Sequence, residues 1–88
     1  PRMGEPRTVV ITGASRGLGF ASTVRLHGEG WRVVAAMRNP EQAFPLLQRA
    51  VGGDDARLVP IQLDLTDATS ITAAAKAIEE AVGTPYAV

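Results

Sequence analysis

One run of eight residues, Thr12-Gly13-Ala14-Ser15-Arg16-Gly17-Leu18-Gly19, has the composition of a phosphate-binding turn. Phosphate oxygens are best met by backbone N–H groups, and a helix N-terminus supplies several together with the positive end of its dipole. Glycine permits a sharp turn and a close approach of backbone to ligand, and it lets a helix pack tightly on a strand. Two arginines add fixed charge, Arg16 within the run and Arg38 further along the chain. A guanidinium can grip a phosphate through two parallel hydrogen bonds.

Such a turn works only if the surrounding elements aim it. Thr8-Val9-Val10-Ile11-Thr12 is a short run rich in β-branched residues and reads as a buried strand. A helical pattern follows from Gly17 to His27, ended by Gly28 and Gly30. Arg32 to Met37 reads as a second buried strand. Asn39, Pro40 and Gln42 suit the N-cap, first-turn and reach-back positions of a capping box. Pro45 lies beyond the first turn, where its ring would clash with the carbonyl four residues back. An irregular turn is therefore expected first, then a helix over 45–51 closed by Gly52-Gly53. A third strand covers 58–63, and Pro60 within it suits a sheet edge. The alanine-rich stretch over 67–82 places Ile71, Ala74, Ala75, Ile78 and Val82 near helical spacing. Thr66 or Asp67 is its expected cap, and Gly83 and Pro85 its stop. Tyr86-Ala87-Val88 reads as the start of a fourth strand.

This alternation, with short connections, implies right-handed crossovers and a parallel sheet. The expectation is a three-layer α/β fold of Rossmann type, βαβαβα. Its strands lie in the order 3-2-1, with helices on both faces and the first strand at the open edge. Parallel strands are normally covered on both sides, so the isolated chain is expected to be marginally stable or to have that edge covered by another chain. The 88 residues make one incomplete dinucleotide-binding domain in this reading, without repeat or linker.

Glycines can simply form a tight turn. Here the turn follows a strand, opens a helix and leads into a second strand at the expected distance, which favours a dinucleotide site. A P-loop would need a lysine and then serine or threonine after its last glycine, but Phe20 follows Gly19. A methyltransferase of related fold would usually carry an acid at the end of the second strand. That place holds Met37. An NAD site also normally has Asp or Glu there, bonding the ribose 2′-hydroxyl. With Met37 and Arg38 in its place, and Arg16 on the same side, the expected cofactor is NADP(H).

The composition is that of a globular chain, 45% apolar with zero formal net charge, and gives no reason to expect nucleic acid or a membrane surface as partner. Apolar runs fall far short of the roughly 20 residues of a membrane helix. Pro1 to Arg7 contain no signal-peptide core. Without cysteine there is no disulfide, thiolate metal site or cysteine nucleophile, which is compatible with a cytoplasmic location.

From Thr8 onward the chain resembles the short-chain dehydrogenases/reductases. Thr12 to Gly19 match that family's TGxxxGxG cofactor motif, and Asp64-Leu65-Thr66-Asp67 looks like its turn after the third strand. The resemblance implies that Gly13, Ser15, Arg16, Gly17, Leu18 and Gly19 line the pyrophosphate turn, with a plain turn residue as the equal alternative for Ser15. It implies Arg16 and Arg38 at the basic positions of NADP-preferring members. It also implies Asp64 near the adenine amino group, with the backbone of Leu65 holding the ring. A helix cap is the alternative for Asp64, and capping is the assignment for Thr66 and Asp67. The implied activity is hydride transfer between the nicotinamide and a carbonyl or alcohol substrate, with a tyrosine handling the proton and a lysine lowering its pKa. The family's NNAG motif, catalytic serine and YxxxK pair would lie past Val88. No catalytic residue is therefore assigned, and the chain is expected to be the N-terminal part of such an enzyme, in which a homo-oligomer is allowed. The alternative readings are a non-catalytic dinucleotide-binding or sensor module and an inactive fragment.

Other polar residues have plainer readings. His27 lacks a partner at triad or ligand spacing and suits a surface or helix-dipole role. Trp31 is expected to cover the end of the first helix. Asp54 and Asp55 suit a solvated loop, and Lys76, Glu79 and Glu80 an exposed helix face. No metal site is expected.

Overall fold

The sheet, in a computed structural model that describes residues 7–53, 56–82 and 86–87, is parallel and four-stranded, ordered β3-β2-β1-β4. The elements are β1 (Thr8–Thr12), α1 (Gly17–Gly28), β2 (Arg32–Met37), α2 (Pro40–Ala50), β3 (Leu58–Gln62), α3 (Ala68–Val82) and β4 (Tyr86–Ala87). The 3-2-1 order is as expected. The open edge is not: β4 pairs with β1 through Val9–Tyr86 and Val10–Ala87, so part of that edge is occupied.

Strand residues alternate between two cores. Val9, Ile11, Val33, Ala35 and Met37 face one side, where Phe20 and Leu26 of α1 and Phe44 and Leu47 of α2 pack on them. Val10, Val34 and Ala36 face the other side, with Val59, Ile61 and Ile78. Side chains buried this fully, such as Ile11 and Leu47, are worth about 1.5–3 kcal/mol each relative to exposure. On α3, Ala74 is buried but Ile71 and Ala75 are exposed, so only part of the expected apolar stripe meets the sheet.

Four local expectations need correction. α2 is one continuous helix from Pro40 through Pro45, not an irregular turn followed by a helix. The cost of Pro45 is the bond to the Glu41 carbonyl, which lies in the exposed first turn where water can serve it. Ala43, Phe44 and Leu47 on the core side hold the helix together across it. Asn39 occupies the N-cap and Pro40 the first turn, yet no side-chain capping bond forms at Asn39. β3 ends at Gln62, although the N–H of Leu63 still donates to the Met37 carbonyl. Of the two readings of His27 the surface one fails, because the residue is buried, and its place in the last turn of α1 is that of the helix-dipole reading.

Trp31 is half-buried against the α1–α2 core. Lys76, Glu79 and Glu80 are exposed. Pro1–Pro6, Asp54, Asp55, Gly83, Pro85 and Val88 lie outside the described residues, with the readings attached to them. No helix among the described residues is long and apolar enough to cross a membrane.

Candidate functional site

β1, β2 and β3 run parallel and end nearly level, with Thr12 beside Ala36 and Ala36 beside Ile61. The turns that follow them therefore meet at one end of the sheet, where open α/β sheets bind ligands. All of the residues expected at the site lie on these three turns or just beyond them.

The first turn is built by its glycines in two different ways. Gly13 and Gly17 have φ of 65° and 61°, a region that L side chains rarely adopt. Gly19 has ordinary helical backbone but no room. A methyl group there would overlap the carbonyl oxygen of Gly13 and lie 2.8 Å from its carbonyl carbon. α1 thus begins directly against the end of β1. Ala14 is buried, and its N–H donates to the Ala36 carbonyl at 3.2 Å, tying the turn to β2. The buried Thr23 hydroxyl donates to the Gly19 carbonyl at 2.8 Å.

The start of α1 favours an anion. Arg16 stands at the N-cap with extended backbone and makes no side-chain capping bond. Arginine carries no acceptor, so it cannot satisfy the first-turn N–H groups as serine or aspartate would. No acidic residue lies in the first turn. The dipole, the N–H groups and the guanidinium all favour negative charge at one place.

The second turn adds Arg38. Ser15, Arg16, Arg38, Asn39 and Gln42 share a cleft of about 390 Å³ with Ala43 and Leu46 of α2. Both arginines are exposed, and the two basic residues proposed from spacing are brought together. Met37, by contrast, is buried in the α1–α2 core and offers no acceptor to a ribose hydroxyl. Asn39 and Gln42 are additions to the expected set. Sequence reasoning assigned them to a capping box whose side-chain bond at Asn39 does not form, and the available signal was Asn39 directly after Arg38 with Gln42 about one helical turn further on.

In the third turn, Asp64 Oδ1 accepts from the Thr66 N–H at 2.9 Å and the Thr66 hydroxyl at 2.6 Å. Its Oδ2 lies 3.6 Å from Arg38 Nε. The Thr66 hydroxyl and then its N–H hold the Asp64 carboxyl below the usual carboxylate range. Desolvation opposes them, and the Arg38 charge adds a smaller lowering. Asp64 does not cap α3. Asp67 does, accepting from the Thr69 N–H at 2.9 Å and the Ser70 N–H at 3.4 Å. Thr66 serves Asp64 and not the helix. Leu65 and Leu18 are exposed apolar side chains at 68% and 84%, beside the third and first turns respectively. Among the described residues, no group of three or more His, Cys, Asp or Glu could hold a metal ion.

The family model described as short chain dehydrogenase matches residues 7–84. The short-chain dehydrogenase anuI of Penicillium roqueforti is 41% identical over 76 residues, 85% of this chain and 30% of that protein. The (+)-neomenthol dehydrogenase of Arabidopsis thaliana is 37% identical over 81 residues, 89% of this chain and 27% of that protein. A solved metagenomic short-chain oxidoreductase in complex with NADP superposes with a TM-score of 0.79 at 30% identity, covering 94% of this chain and 38% of that one. The chain thus spans about three tenths of the length of these two curated relatives.

Proposed function

The chain belongs to the short-chain dehydrogenase family, and from that premise we propose that it is the NADP(H)-binding portion of an oxidoreductase. In the whole protein the reaction is hydride transfer between the nicotinamide and a carbonyl or alcohol substrate. The observation that carries the cofactor reading is the cleft that joins Arg16 and Arg38 beside the start of α1. The NADP in the related metagenomic oxidoreductase supports it.

The residues fit a dinucleotide with a 2′-phosphate. The crowding of Gly19 against Gly13 brings the first-turn N–H groups of α1 to the end of β1, where a pyrophosphate can accept from them. The Ser15 backbone and hydroxyl stand at the same turn. Arg16 and Arg38 take the 2′-phosphate, which a carboxylate in the place of Met37 would repel. The backbone of Leu65 borders the adenine side. The nicotinamide supplies the hydride donor or acceptor when bound. This chain binds and orients it, and the proton chemistry belongs to a tyrosine and lysine elsewhere in such a protein.

Titration of the full-length protein with NADPH and with NADH, followed by cofactor fluorescence, tests the reading. NADPH is expected to bind at least about tenfold more tightly, since one charge-assisted contact contributes about 1.5–3 kcal/mol. Equal affinity, a preference for NADH or no binding of either would overturn it.

A further inference from the structure

Asp64 has two neighbours that do different things. Thr66 fixes its Oδ1 through two hydrogen bonds, 2.9 and 2.6 Å long. The other oxygen is left toward Arg38 Nε at 3.6 Å. Its own N–H donates to the Ser70 hydroxyl at 3.0 Å, so the turn is tied to the first turn of α3 as well. The carboxylate is thus anchored on the β3–α3 side and faces the arginine from there. It borders a different cleft, of about 540 Å³, between β3 and α3. Arg38 lines the other cleft, with Ser15 and Arg16, and Asp64 does not.

Resting on the NADP(H) reading above, we propose that Asp64 is a positioning residue for the 2′-phosphate, holding Arg38 by its Nε so that the two Nη groups face the cleft shared with Arg16. Arginine has five donors in a planar fork, and an anchor at Nε leaves the Nη edge for a bidentate grip. Arg38 is 73% exposed on the side chain and touches the site through a long, flexible stem. Without an anchor it would have to be ordered by the ligand itself, at a cost in side-chain entropy. The cleft also gathers two guanidinium groups with like charge. A carboxylate behind one of them eases that repulsion before the ligand arrives.

The resemblance gives Asp64 another role, a contact with the adenine amino group, and the two roles predict different losses. Adenine is common to NADPH and NADH, whereas the 2′-phosphate belongs to NADPH alone. An exposed ion pair contributes modestly, so Asp64→Asn in the full-length protein is expected to weaken NADPH about three- to fivefold and to leave NADH unchanged. Thr66→Val, which removes the hydroxyl bond to Oδ1 and keeps the backbone one, should produce a smaller loss of the same kind. Combined with Arg38→Ala, Asp64→Asn should have no further effect on NADPH, because the arginine through which it acts is gone. Circular dichroism and thermal melting of each variant establish that it is folded. If Asp64→Asn weakens both cofactors equally, the carboxylate is an adenine contact and the proposal is overturned. NADPH binding that is unchanged or tighter in Asp64→Asn overturns it as well, since the carboxylate would then be idle or a competitor of the phosphate. These outcomes are separate from failure of the cofactor reading, which would show in the unmodified protein.

Discussion

At the amino end of the sheet, Arg57 donates from Nη1 to the His27 carbonyl at 3.0 Å and lies 3.5 Å from that of Trp31. At the carboxyl end, Arg16 and Arg38 leave their guanidinium groups largely to solvent. The same residue type closes one end and keeps the other open. The polarity of α1 explains the difference. Its last turn presents carbonyls, which a guanidinium satisfies, and His27 and Arg25 add basic groups there. Its first turn presents N–H groups, which a guanidinium cannot satisfy and an anion can. At the closed end Arg7 also stacks on the Trp31 ring, 5.8 Å from its centroid. One helix thus gives arginine a structural duty at its C-terminus and leaves it exposed beside the N–H groups of its N-terminus.

The contrast is sharpest at Gly19, where the open end allows no freedom. Gly19→Ala forces a methyl group onto the Gly13 carbonyl, a backbone group that cannot swing away. It should cost about 1–3 kcal/mol in chemical denaturation and remove measurable NADPH binding. Wild-type affinity in this variant would break the link between helix packing and phosphate binding. Next in size, Arg38→Ala should lower NADPH affinity about ten- to a hundredfold while NADH affinity and stability stay put. Arg57→Ala should do the reverse. Leaving the part-buried His27 carbonyl without that donor should destabilise by about 1–3 kcal/mol, with NADPH affinity unchanged. If Arg57→Ala weakened cofactor and left stability intact, the division between the ends would be wrong. Asp67→Ala removes the cap of α3 and should cost about 1 kcal/mol in urea unfolding, with little effect on either end.

The smallest effect concerns pH. The Asp64 carboxyl lies below the usual range in the folded chain. Its contribution is therefore present above the ordinary aspartate pKa and lost as pH falls through the lowered value. A carbon-13 NMR titration should show Asp64 titrating low in the native protein. In Thr66→Val it should move toward the ordinary range, because the larger of the two Thr66 bonds is removed.

Much of this was legible in the chain because it is local. β-Branched runs marked β1 and β2, and the strand–turn–helix setting of Gly13 to Gly19 marked the turn on which α1 opens. Arg16 and Arg38 were singled out by position, and they line one cleft. What was missed depends on contacts between distant residues. The burial of His27 is set by packing, and its carbonyl meets an arginine 30 residues away. Pro45 broke the local rule for α2, but Phe44 and Leu47 gain enough from the core to carry the helix through. The meeting of Arg38 with Asp64 requires β2 and β3 to lie side by side. Asn39 takes the N-cap position read from the sequence, but a good capping residue there need not make the side-chain bond.

Pro60 bears on how this protein behaves in a crowded solution. Arg57 and Leu63 both turn their backbone groups toward β2. By the alternation of a parallel ladder, the residues of even number in β3 turn theirs to the outer edge. At the midpoint of that edge, a proline ring stands where an N–H would be, on a residue exposed to solvent. A strand arriving from another molecule finds no donor there to continue the sheet. The proline thus spoils β3 as a template for intermolecular growth. Its replacement by valine would be felt first as turbidity on heating.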